Sequence, residues 1–187
     1  MVSLSLMTIL SLAIYSQSKK ANNTTPPPKS AATAKPTVVE DSYTLTINKT
    51  NITAPIIVNV DGNNKEAYDK SLESGVAQLN GTALPGKAGN TFIFGHSSFY
   101  TWKPGEYKKI FKDLNNLETG DEIIINSNVS RYIYRVSDKQ IVMPDRVDVV
   151  DQNYSEKKLT LMTCWPIGSS EKRLVVIAML TETIPIQ

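Results

Sequence analysis

One cysteine and one histidine occur in the 187-residue sequence, and both stand where an apolar run gives way to a turn. Cys164 closes "KLTLMTC" ahead of "WPIGSS", and His96 closes "NTFIFGH" ahead of a serine pair. An imidazole can take the proton of a thiol, and a thiolate attacks carbonyl carbon readily. A free thiol, with a pKa of about 8.5, is only slightly ionised at neutral pH, so a working one needs positive charge nearby. Arg173 is the candidate source. It opens "RLVVIAML" after the turn that begins at Trp165, and an antiparallel hairpin would return it beside Cys164. Its five fixed N–H donors also suit the oxyanion of a tetrahedral intermediate.

Each residue alone has a plainer reading. A lone cysteine is commonly a small buried hydrophobe, a lone histidine a hydrogen-bonded structural group, and an arginine at a strand start a solvated charge. Their joint placement at strand ends is what favours chemistry. A metal is not expected, because one Cys and one His are too few ligands without a carboxylate cluster at suitable spacing, and no cofactor is expected. Asp145, Asp148 and Asp151 read as solvated loop charges. Ser97 and Ser98 flank the only histidine and have no second base to serve them. A net charge of +2, from lysines that are scattered rather than clustered, argues against nucleic acid as a partner. A single cysteine also excludes an internal disulfide.

The elements that would carry these side chains are mostly strands. "YTLTI", "APIIVNV", "NTFIFGH", "DEIIINS", "RYIYRVSDKQIVM", "KLTLMTC" and "RLVVIAMLTETI" are rich in β-branched and aromatic residues and are bounded by Gly, Asn, Asp or Pro. Two helices are expected. One runs from Tyr68 to Leu79, with Leu72, Val76 and Leu79 on one face, and one from Glu106 to Leu117, with Ile110, Leu114 and Leu117. Many short strands at this spacing predict a closed barrel or a sandwich. Side chains alternate along a strand, so Thr160 and Met162 share a face with Cys164, and Phe94 shares one with His96. If the two strands lie parallel and adjacent, His96 and Cys164 meet although 68 positions separate them.

The first residues set the location. Residues 1–16 are uncharged and largely apolar but shorter than the roughly 20 residues of a membrane-crossing helix. No basic start or cleavage pattern marks a signal peptide, so an anchor truncated at its beginning is expected. Lys19 and Lys20 alone would draw that flank to the cytoplasmic side, against the outside location argued below. Residues 17–42 are rich in Pro, Thr, Ser and Asn and read as an extended linker. The globular domain is then 43–187.

"TLMTC", followed nine positions later by Arg173 in "KRLVV", resembles the signature of the sortases, the cysteine transpeptidases of bacterial cell surfaces. "ALPGKAGNTFIFGH" is similar to that family's approach to its histidine, and "LETGDEIII" and "YIYRV" fall in the family's order. The likeness runs from Tyr43 to Thr183. It implies a mainly β fold, a closed sortase-type barrel of about eight strands. It also implies a thiol peptidase chemistry in which Cys164 cleaves an LPxTG-like sorting signal between Thr and Gly and holds the product as a thioester. The implied roles are general acid/base for His96, substrate and oxyanion binding for Arg173, and substrate-groove positions for Phe94, Thr160, Met162 and Thr163. The partners implied are secreted proteins with a C-terminal sorting signal and an amine from peptidoglycan precursor or a pilin lysine, met on the extracellular side of the membrane. "TCWPIGSS" is closer to class D-like or unclassified sortases than to class A, and Met143 to Lys158 falls where the family's pocket-shaping loop lies. Two other readings stand beside this one. One is a cysteine hydrolase or L,D-transpeptidase-like enzyme; the other is a non-catalytic surface barrel with Cys164 merely packed.

Overall fold

A computed structural model describes residues 42–98 and 105–186. Residues 1–41 lie outside that range, and with them the expected anchor and nearly all of the linker. Eight strands close a barrel: β1 (Tyr43–Ile47), β2 (Ile52–Val60), β3 (Val76–Leu79), β4 (Gly89–Phe94), β5 (Glu122–Asn126), β6 (Ser130–Val142), β7 (Lys157–Trp165) and β8 (Lys172–Pro185). Their order around the wall is β1-β2-β3-β4-β7-β8-β6-β5, with β5 pairing back onto β1. Two contacts are parallel, β2 with β3 and β4 with β7; the others are antiparallel. The barrel reading of the sequence is therefore right, and the eighth strand is β3.

That strand was hidden in the first expected helix. Helix α1 spans Lys65–Ser74 instead. Asn64 caps it by accepting a hydrogen bond from the Ala67 amide at 3.1 Å, and the chain turns at Gly75. A Cβ on Gly75 would sit 2.2 Å from the Pro55 carbonyl oxygen, so only glycine lets the chain pass β2 and enter β3. Val76 and Leu79 kept the helical spacing by coincidence. The second expected helix is also corrected. Within Glu106–Leu117 the described backbone is a series of turns ending in a short 3-10 segment, Leu114–Asn116. Phe111, Leu114 and Leu117 are fully buried and recur every three residues, the period of a 3-10 turn rather than of an α-helix.

The wall has two apolar faces. The interior is filled by Leu45, Ile47, Ile93, Ile125, Leu159, Leu161 and Val176, closed by Phe111, Leu114 and Leu117. Each such side chain contributes about 1.5–3 kcal/mol when removed from water. On the outer face Phe92 and Phe94 of β4 and Met162 of β7 meet Leu72 and Tyr68 of α1, together with Val149 and Val150 from the β6–β7 loop. Strand alternation decides which side chain joins which layer. In β7, Leu159 and Leu161 belong to the interior cluster and Met162 to the outer one, so Cys164 follows Met162 outward.

Candidate active site

The parallel β4–β7 ladder runs residue for residue, from Gly89 opposite Lys157 to Phe94 opposite Met162. It continues one step further, because the Gly95 amide donates to the Met162 carbonyl at 3.2 Å. His96 lies two residues beyond Phe94 and Cys164 two beyond Met162, and both line one cavity. In the antiparallel β7–β8 pair Cys164 lies directly opposite Arg173, and directly opposed residues project from the same face. The three candidate residues thus share the outer face at one end of the barrel, as the strand-end argument required. All three are half-buried.

Backbone contacts fix this end of β4. The Thr163 hydroxyl, on the interior face, donates to the Gly95 carbonyl at 2.8 Å, and the Phe111 amide donates to the His96 carbonyl at 2.9 Å. The Gly168 amide donates to Ser98 Oγ at 3.0 Å, joining the turn after Cys164 to the segment after His96. Arg173 Nη1 donates to the carbonyls of Ser170 (2.9 Å) and Lys172 (3.0 Å), which stiffens the same turn. No carboxylate pairs with Arg173 among the described residues, so its charge stays available to the site.

A cavity of about 470 Å³ opens here, lined by Tyr68, His96, Ser98, Cys164 and the turn Gly168–Ser170. Burial pushes the His96 imidazole below its ordinary pKa, and the nearby Asp69 carboxylate works in the opposite direction. The neutral form is thereby favoured, and a neutral imidazole can accept a thiol proton.

A second hollow, of about 610 Å³, lies between α1, the β2–α1 loop and the β6–β7 loop. Phe92, Phe94, Leu79, Met162, Val149 and Val150 give it an apolar lining, and Tyr68 belongs to it as well as to the first cavity. Of the four expected groove residues, Phe94 and Met162 line it. Thr160 and Thr163 do not; they are 1% and 3% exposed and act from beneath. The Thr160 hydroxyl donates to Asn90 Oδ1 at 2.8 Å, and Asn90 Nδ2 in turn donates to the Val149 carbonyl at 2.9 Å. Gln152 completes the clamp: its Oε1 accepts from the Asn90 amide at 2.9 Å, and its Nε2 donates to the Asn90 and Val150 carbonyls at 3.1 and 2.8 Å. These bonds hold the β6–β7 loop against the wall and so shape the groove. In the same loop Arg146 pairs with Asp148. Among the described residues no three His, Cys, Asp or Glu side chains converge as metal ligands would.

Tyr68, Asn90 and Gln152 were missed from the sequence. Asn90 carries a faint signal, a polar residue at the start of an apolar strand; its partner lies 62 positions away, beyond the reach of periodicity.

A closed mixed barrel whose outer rim brings a lone thiol, a lone imidazole and an arginine together defines a narrow class of folds. Residues 45–181 match the sortase domain, and the chain belongs to the sortase family, a family associated with the cell surface. It is 33% identical to Sortase A of Bacillus anthracis over 64% of this chain and 53% of that protein. It is 24% identical to Sortase D of Bacillus subtilis over 78% of this chain and 66% of that protein. The chain thus spans between about half and two thirds of the length of these relatives. A Sortase D5 transpeptidase from Clostridium perfringens shares its fold at a TM-score of 0.62 and 26% identity, covering 75% of this chain and 79% of the other. These relatives carry different class letters and do not single out the class D-like expectation. No helix among the described residues is long and apolar enough to cross a membrane.

Proposed function

We propose that the protein is a cysteine transpeptidase that cleaves an LPxTG-like sorting signal between Thr and Gly and transfers the acyl part to an amine. The reading rests above all on one observation, the common outer face on which Cys164 lies opposite Arg173 and one ladder step beyond the last His96-side contact. His96 takes the Cys164 proton, and the thiolate adds to the scissile carbonyl carbon. Arg173 neutralises the oxyanion that forms. When the C–N bond breaks, His96 returns its proton to the departing glycine amine, leaving a thioester on Cys164. An incoming amine then adds to the thioester carbonyl and gives a proton to His96. Collapse of this second intermediate forms the amide and expels the Cys164 thiolate, which recovers the proton. The apolar groove beside Phe94 and Met162 would hold the hydrophobic part of the signal.

The donors in this reading are secreted proteins with a C-terminal sorting signal, and the acceptor is a peptidoglycan-precursor or pilin-lysine amine. Residues 1–16 would anchor the protein in the membrane, with 17–42 as a spacer holding domain 43–187 on the extracellular side. The test mixes the purified protein with sorting-signal peptides and an amine acceptor and reads the products by mass spectrometry. Amide products are expected, and Cys164→Ala should abolish them while leaving thermal unfolding unchanged. Acid products alone would indicate a hydrolase. Cleavage retained by Cys164→Ala would refute the mechanism.

A further inference from the structure

Tyr68 stands on α1 four residues before Leu72, so the two side chains lie on the same helical face, the face that packs on the outer wall of the barrel. Its ring lies flat on Phe94, with centroids 5.0 Å apart and planes 12° from parallel. Phe94 is itself held opposite Met162 and stands two residues before His96. The position of the phenol is therefore tied to the same ladder that sets the spacing of His96 and Cys164.

Two features separate Tyr68 from an ordinary packed aromatic. Among the described residues it is the one side chain common to the thiol cavity and the apolar groove. A peptide with its apolar side chain in the groove and its scissile bond at Cys164 has to cross this ring. The phenol also makes no hydrogen bond to any described residue, although Cys164 and Arg173 are both close enough for their charges to act on it. Burial, the larger influence, favours the neutral form, so the oxygen keeps its proton and remains a donor. A peptide entering the cleft brings backbone carbonyls out of water, and each needs a partner there.

We propose that Tyr68 is a substrate-positioning residue. Its ring forms the sill between groove and thiol cavity, and its hydroxyl donates a hydrogen bond to the peptide backbone just ahead of the scissile bond. The inference rests on the transpeptidase reading above. It adds a contact from the helix to a site otherwise built from strand ends. Because that bond is made before and during the chemical step alike, it acts on binding rather than on the barrier between bound substrate and transition state.

The test compares wild type with Tyr68→Phe, which keeps the ring and its stacking on Phe94, using a sorting-signal peptide that the wild type cleaves. The hydroxyl variant is expected to raise KM about tenfold, the worth of one neutral hydrogen bond, with kcat, melting temperature and the pH profile of Cys164 alkylation by iodoacetamide unchanged. A Tyr68→Phe enzyme with wild-type KM would overturn the inference and leave the transpeptidase reading standing. A loss that falls on kcat and on the alkylation profile together would also overturn it, since the hydroxyl would then act on the thiol. A wild-type protein that cleaves no such peptide would remove the function and this inference with it.

Discussion

Gly95 separates β4 from His96, and replacing it with alanine tests whether the backbone there sets the position of the imidazole. A Cβ on Gly95 would lie 2.8 and 2.9 Å from two ring carbons of Phe111 and 3.2 Å from a methyl of Ile110. To reach ordinary carbon–carbon contact near 3.5 Å the Phe111 ring or the Gly95 backbone must move by about 0.7 Å. Phe111 is fully buried in the barrel core, so its ring can move only by displacing its neighbours. Its own amide also holds the His96 carbonyl, so the shift passes directly to the candidate base. Overpacking of this kind costs about 1–3 kcal/mol, and each kcal/mol lowers the melting temperature by about 2–4 °C for a domain of this size. A displacement approaching 1 Å in a reacting group costs on the order of a hundredfold in rate. The expected Gly95→Ala protein is therefore folded at 25 °C and melts several degrees early. Peptide cleavage should be lost by up to that factor, and alkylation of Cys164 by iodoacetamide should slow as well, since His96 is the base for that thiol. Thermal melts, steady-state cleavage and alkylation kinetics measure the three quantities separately. Wild-type cleavage by a variant that melts early would refute the link between Gly95 and His96.

Asn90→Ala should loosen the β6–β7 loop, because it removes the side-chain bonds to Thr160 and Val149 and leaves only the Gln152 clamp, which grips the Asn90 backbone. Stability is expected to fall by about 1–3 kcal/mol for the polar groups left unpaired, and peptide KM to rise with Cys164 alkylation unchanged; an unaltered KM would show that the loop does not shape the groove. Burial holds the folded His96 pKa below its reference value of 6.5, so below that pH the unfolded chain binds a proton that the folded chain resists. Stability from this source is undiminished above about pH 6.5 and is lost as the pH falls below it, levelling off once the folded imidazole also titrates. Asp69→Asn removes the charge that opposes the burial effect and should move the His96 titration further down, read by proton NMR on tag-free protein, whose only imidazole this is. An upward shift would contradict the assigned influence of Asp69.

Strand alternation made the outer-face grouping of Thr160, Met162 and Cys164 legible, and the unique residues at two strand ends pointed to the site. Both follow from local geometry with a period of two. What that period does not contain is what lies over the face. Thr160 and Met162 share one side of β7, yet Met162 meets the groove while Thr160 is roofed by Asn90. Similarly, Val76 and Leu79 satisfied a helical spacing, but the close approach of Gly75 to Pro55 turned them into β3. Thr163 shows the same limit from the other side of the wall. It faces away from Cys164, and its contribution is a hydrogen bond to the residue before His96. Each of these outcomes depends on a partner distant in sequence, and none leaves a periodic trace.

The one-to-one parallel register of β4 and β7 also bears on how such a protein can change over time. The separation of thiol and imidazole is set by two neighbouring strands, so the long stretch of chain joining them, apart from the Phe111 amide that holds the His96 carbonyl, carries no duty to that spacing. Loops within it can lengthen, shorten or be exchanged, altering which peptides are admitted, while the reacting pair stays in place. The same ladder makes the pair intolerant of insertion inside either strand. One added residue would turn Cys164 or His96 from the rim into the barrel interior, an all-or-none failure with no graded intermediate. Selection can thus diversify recognition in the connections while the chemistry is inherited as a fixed cassette.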